Sequence, residues 1–89
     1  MNPDMFRFNE ERFFKRRFEG EWMIADLKSG DYFTVEGAGS LVFDEALAGR
    51  TTGEIVAKIS KVFPGEPSGE IRSDVDEFIG ELVRKKILV

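Results

Sequence analysis

The chain predicts an α+β fold, a three-stranded antiparallel sheet followed by three helices. Three observations carry that expectation. Short runs of aromatic and β-branched residues fill the chain up to Val35, and turn residues separate them. Beyond Gly39 the apolar spacing changes to the three-and-four rhythm of amphipathic helices. Strands gathered in one half and helices in the other indicate segregated layers rather than alternating βαβ units.

Phe13 to Phe18 reads as the first strand. Phe14, Arg16 and Phe18 share one parity, and Lys15 and Arg17 the other. Glu19-Gly20 makes a tight turn. Trp22 to Leu27 is apolar on both parities, as suits a central strand. Lys28 to Asp31 turns again, with Gly30 free to take a positive φ. Asp31, Tyr32, Phe33, Thr34 and Val35 form the third strand, with Phe33 and Val35 on one face and Tyr32 and Thr34 on the other. Short turns make a meander the simplest pairing. The third strand then lies at an edge, where unpaired N–H and C=O groups must be covered or used. The reading adopted is that they are used, to take in a peptide as one more strand.

Ser40 to Leu47 is a short helix, and Gly49 stands where a terminating glycine belongs. Thr51 and Glu54 have the spacing of a capping box, opening a second helix that runs to about Phe63. Pro64 to Gly69 is a loop, with Ser68 the candidate cap of the third helix, over about Glu70 to Lys85. Ile71, Val75, Phe78, Ile79 and Leu82 hold one face of that helix. Acids lead it and Arg84, Lys85 and Lys86 close it, as its dipole favours. Ile87 to Val89 is expected to fold back onto the core. A short helix, a tight turn and a second helix, with a third helix and a small sheet, make a winged helix-turn-helix-like arrangement. Residues 1–11 are read as an N-terminal arm that is loose, lies on the body or is exchanged with a partner copy as a strand, and 12–89 as one domain.

Composition narrows the functions. The 89 residues hold no Cys and no His, which nearly excludes thiolate or imidazole metal sites and the usual nucleophile–base pairs. A net charge of −4 argues against nucleic acid and anionic membranes as partners. Nothing reads as a membrane span or a secretion signal, so the expected location is the cytoplasm. The acids of the third helix read as solvent-facing charges, and Gly37-Ala38-Gly39 lacks the spacing of a phosphate loop. Arg12, Lys15, Arg16 and Arg17 read as a solvated strand face, with docking to an acidic partner as the alternative.

Several features recur in a fixed order: Gly20, Ser29-Gly-Asp-Tyr-Phe33, Val35-Glu36, Gly39-Ser-Leu-Val-Phe43, Leu47-Ala-Gly49, Thr52-Gly-Glu-Ile55, Asp74-Val-Asp-Glu-Phe-Ile-Gly-Glu-Leu82 and Lys86-Ile-Leu88. This ordered set resembles the PqqD-like family, the recognition elements for ribosomally made, post-translationally modified peptides. The sequence departs from the family pattern where Val35-Glu36 stands for Leu-Asn, Phe43 for Trp and Lys86 for Gly. The resemblance implies a non-catalytic peptide chaperone with no cofactor. It implies that the leader segment of a precursor peptide adds antiparallel to the third strand, beside the third helix. A separate modifying enzyme, a radical-SAM maturase or a leader protease, then acts on the peptide. Arg72, Asp76, Ile79 and Val83 lie on the flank next to the helix's core stripe and are the expected groove residues, Arg72 as partner of a leader carboxylate. Two other classes compete, a winged-helix DNA-binding protein and a general protein–protein adaptor. The acids of the third helix count against the first.

Overall fold

The computed structural model describes residues 6–89; the part of the expected arm formed by residues 1–5 lies outside the described residues. Strands β1 (Phe13–Phe18), β2 (Glu21–Asp26) and β3 (Tyr32–Val35) precede helices α1 (Ala38–Leu47), α2 (Thr52–Val62) and α3 (Ser68–Arg84). The sheet is an antiparallel meander in the order β1-β2-β3. It is joined first by a two-residue turn in which Glu19 and Gly20 both take positive φ, 48° and 81°. That turn geometry matches the right-handed twist of a hairpin.

One face of the sheet packs on the helices. Phe13, Ile24 and Val35 from that face join Phe43, Ile55, Ile79, Leu82 and the C-terminal Ile87 and Leu88 in the core. Phe14 and Phe18 point the other way and are exposed, because the inward parity of β1 belongs to Phe13, Lys15 and Arg17. The basic cluster resolves accordingly. Arg12 pairs with Asp26, Lys15 lies 4.4 Å from the Phe8 ring centroid, and Arg17 bonds Asp44. Arg16 alone of the four points outward without a carboxylate partner among the described residues.

Polar ties fix the helical layer against the sheet. The Trp22 indole N–H donates to Asp44 at 2.7 Å, and the Ser40 hydroxyl donates to the Gly20 carbonyl at 3.0 Å. Both helix α1 and helix α3 start earlier than their apolar spacing suggests. Gly37, with φ 61°, leads directly into α1, and Pro67 rather than Ser68 occupies the N-cap of α3, with no side-chain cap. Proline is well suited to an extended residue ahead of a helix, and the helix gains two residues, Ser68 and Gly69, N-terminal to Glu70. Thr51 and Glu54 do form a reciprocal capping box. Described residues of the arm pair with the chain's own end: Arg7 and Val89 exchange backbone bonds of 3.0 and 2.9 Å, and the Asn9 N–H donates to Ile87.

Candidate functional site

The free edge of β3 follows from its register. Asp26 donates its N–H to the Asp31 carbonyl at 2.7 Å, just beyond the ladder that pairs Ala25 with Tyr32, Ile24 with Phe33 and Trp22 with Val35. Bonded pairs alternate along an antiparallel ladder. Phe33 and Val35 therefore direct their backbone groups to β2, while Tyr32 and Thr34 direct theirs outward. No described residue pairs with that outer side, since the arm at 7–9 lies against 87–89 instead. The outward N–H and C=O groups of Tyr32 and Thr34 are thus four hydrogen-bonding positions for an added strand.

Beside this edge runs a groove between β3 and the C-terminal half of α3. Its cavity is about 180 Å³ and is lined by Ile24, Phe33, Thr34 and Val35 on one side and Phe78, Glu81, Leu82 and Lys85 on the other. The floor is apolar and the helical rim carries one charge of each sign. Lys85 Nζ sits 4.5 Å from the Phe33 ring centroid, so the ammonium rests over an aromatic face at the groove wall.

A second cavity, about 370 Å³, continues along the N-terminal half of α3 and is lined by Ala38, Gly39, Val42, Ile59, Phe63 and Val75, with Glu66 and Asp74 at its margin. Phe78 lines both cavities. Its ring lies against the start of α1, where a Cβ on Gly39 would stand 3.4 Å from two ring carbons and from Val35 Cγ1. β3, α1 and α3 converge around that ring, close enough that a Cβ at Gly39 would be in contact with it.

The expected site residues divide by position. Tyr32, Phe33, Thr34 and Val35 lie together on the edge or in the groove. Asp31 sits in the preceding turn, where Ser29 Oγ accepts its N–H at 3.2 Å and its carbonyl accepts from Asp26. The helical flank lies elsewhere. Ile79 is only 5% exposed and belongs to the core. Arg72 and Asp76 approach each other at 3.9 Å on the solvent side, and Val83 is exposed away from the groove lining. The core stripe, about 100° wide, separates two flanks of the helix, and the groove borders the one carrying Glu81 and Lys85. Sequence periodicity places Phe78 in the stripe but gives no preference between flanks. Both flanks carry an oppositely charged pair at four-residue spacing, Arg72 with Asp76 and Glu81 with Lys85, so only packing against β3 selects the side.

The turn before β3 is held by charge. Asp26 accepts two bonds from Arg12, at 2.9 and 3.2 Å, and others from the Lys28 and Ser29 N–H groups. The Arg12 guanidinium holds the Asp26 carboxyl well below the usual carboxylate range, the turn N–H groups add to this, and burial opposes it. Tyr32 thus enters the strand from a turn with little freedom.

Comparison with known proteins gives a family and a fold. The family model described as Coenzyme PQQ synthesis protein D (PqqD) matches residues 21–88. Among solved structures, "TbiB1 in Complex with the TbiA(beta) Leader Peptide" superposes with a TM-score of 0.82 at 21% identity, covering 92% of this chain and 93% of that one. "Lasso peptide synthetase B1 complexed with the leader peptide" superposes with a TM-score of 0.80 at 13% identity, covering 94% and 96%. No curated protein matches this chain.

Proposed function

The chain belongs to the PqqD family, and from that premise we propose that it is a leader-binding partner of an enzyme that modifies ribosomally made peptides. The leader adds antiparallel to β3, bonded to the outward backbone groups of Tyr32 and Thr34. Its side chains on the helical side enter the groove beside Phe78, Glu81, Leu82 and Lys85. Antiparallel addition puts the leader's N-terminal half toward Val35 and the larger cavity, and its C-terminal half toward the turn at Asp31. Each backbone bond contributes about 0.5–1.5 kcal/mol net, so four of them fix register but leave much of the affinity to the apolar walls. Both solved relatives of this fold are complexes with leader peptides, which supports the reading.

The observation that carries it is the unpaired edge of β3 beside an apolar groove. Nothing in the groove calls for a reacting group of the protein's own, and the chain serves as the non-catalytic partner, presenting the peptide to a radical-SAM maturase or a leader protease. The test takes a modifying enzyme of either class with the precursor peptide it acts on, drawn from the same source as this chain. Adding the chain should raise turnover of the full precursor, and leave turnover of the leaderless core peptide unchanged. Equal stimulation of both substrates would reject the assignment.

A further inference from the structure

The face of the sheet turned away from the helices is apolar, where an antiparallel sheet with one solvated face ordinarily carries polar residues. Phe14 is 55% exposed, Phe18 61%, Met23 38% and Tyr32 71%, and all four belong to this face by parity. No described residue covers them. Contiguous exposed apolar surface of this kind marks an interaction site in a water-soluble domain. The register orders the face into rows: Phe14 beside Ala25 and Tyr32, Arg16 beside Met23 and Thr34, and Phe18 beside Glu21.

We propose that a second copy of the chain docks on this face, sheet against sheet. The charges select that occupant. Arg16 and Glu21 are the charged residues in the two rows that close the patch, and they occupy one diagonal of a four-residue block whose other diagonal is Phe18 and Met23. These residues also line one shallow cavity, together with Thr34. Neither Arg16 nor Glu21 has an ion-pair partner among the described residues. A two-fold axis lying in the interface along the Phe18–Met23 diagonal sets each of those residues against its own copy. The same axis sets Arg16 against Glu21 of the other copy, twice. The surface is self-complementary, as an isologous contact requires, and the two sheets cross steeply, in the orthogonal class of sheet packing. An acidic or a basic partner would meet one of these two charges unfavourably. The axis runs on through Tyr32, so the outer side chains of β3 lie within the interface, while the outward backbone groups of Tyr32 and Thr34 point along the plane of the sheet and are not used by the dimer.

The test is the mass of the full chain in solution by sedimentation equilibrium, at concentrations up to about 1 mM, where even a millimolar contact is populated. The expected mass is twice the 10.1 kDa of one chain. Arg16→Glu alone and Glu21→Arg alone each place like charges across the axis and should weaken the dimer by about tenfold or more. The double variant exchanges the pair and should return association to within about threefold of the original. Circular dichroism confirms that each variant is folded. A monomer throughout the range overturns the proposal, including a monomer whose face is instead held by the modifying enzyme. So does a dimer indifferent to both charges, as exchange of the arm at residues 6–9 would produce, or a double variant that stays as weak as the single ones.

Discussion

Thr34 shows most directly how one residue's backbone matters more than its side chain. Its hydroxyl bonds nothing among the described residues, yet its N–H faces the open edge. Thr34→Pro removes that donor without touching the ladder to β2, which edge strands tolerate. Leader affinity should fall by about tenfold or more while the thermal midpoint moves little; retained affinity in a folded Thr34→Pro variant would place the peptide elsewhere. Lys86 is the second informative position. It takes φ 65° where the family pattern has Gly, directly after the α3 C-cap. A side chain in that region costs about 1–2 kcal/mol, offset in part by the entropy that Gly loses on folding. Lys86→Gly should therefore raise stability by about 1 kcal/mol, read from the denaturant midpoint. Asp26 supplies a pH signature. Its folded value lies below its unfolded value, so the unfolded chain takes up the proton first as pH falls. The stability it contributes is complete above the ordinary aspartate range, near about pH 4, and drains away below it. Asp26→Asn should be less stable than the parent at pH 7 and show a flatter loss of stability between about pH 4 and pH 2.

At the scale of elements, local signals and tertiary packing carry different parts of the answer. The capping box at Thr51 and Glu54 is a local contact within one turn, so residue spacing alone reveals it. Thr51→Ala should cost about 1 kcal/mol in denaturant unfolding and leave leader binding unchanged, because Thr51 lines neither cavity. The meander was equally legible, since a two-residue turn at Glu19-Gly20 leaves antiparallel pairing as the short route. The inward parity of β1 was not, because Phe13 and Phe14 are adjacent and equally apolar. Only docking of Phe13 beside Ile24 settles which one is buried. The groove flank of α3 was hidden for a related reason. Periodicity defines the stripe from Ile71 to Leu82, but the side that faces β3 is set by tertiary packing, with the Phe78 ring against the start of α1. The basic cluster on β1 likewise reads as one charged run, while packing assigns Arg12, Lys15 and Arg17 to three different partners and leaves Arg16 on the outer face.

For the whole molecule, the meander leaves the outer edges of β1 and β3 both unpaired among the described residues, and of the two it is the β3 edge that runs beside an apolar groove. Residues 7–9 pair with 87–89, the latter segment contributing Ile87 to the groove lining. A winged-helix layout also serves DNA binding, but α3 presents Asp74, Asp76, Glu77 and Glu81 to solvent, where phosphates would be repelled. An open β3 edge with an apolar groove along its side favours an extended peptide instead. The measurement that tests this most directly is an amide-resolved titration of the isotope-labelled chain with its leader peptide. The account predicts that the Tyr32 and Thr34 N–H groups shift and become protected from exchange, with side-chain signals of Phe33, Phe78 and Leu82 moving in step. Shifts confined to α2 and the solvent side of α3, with the two β3 amides unchanged, would contradict it.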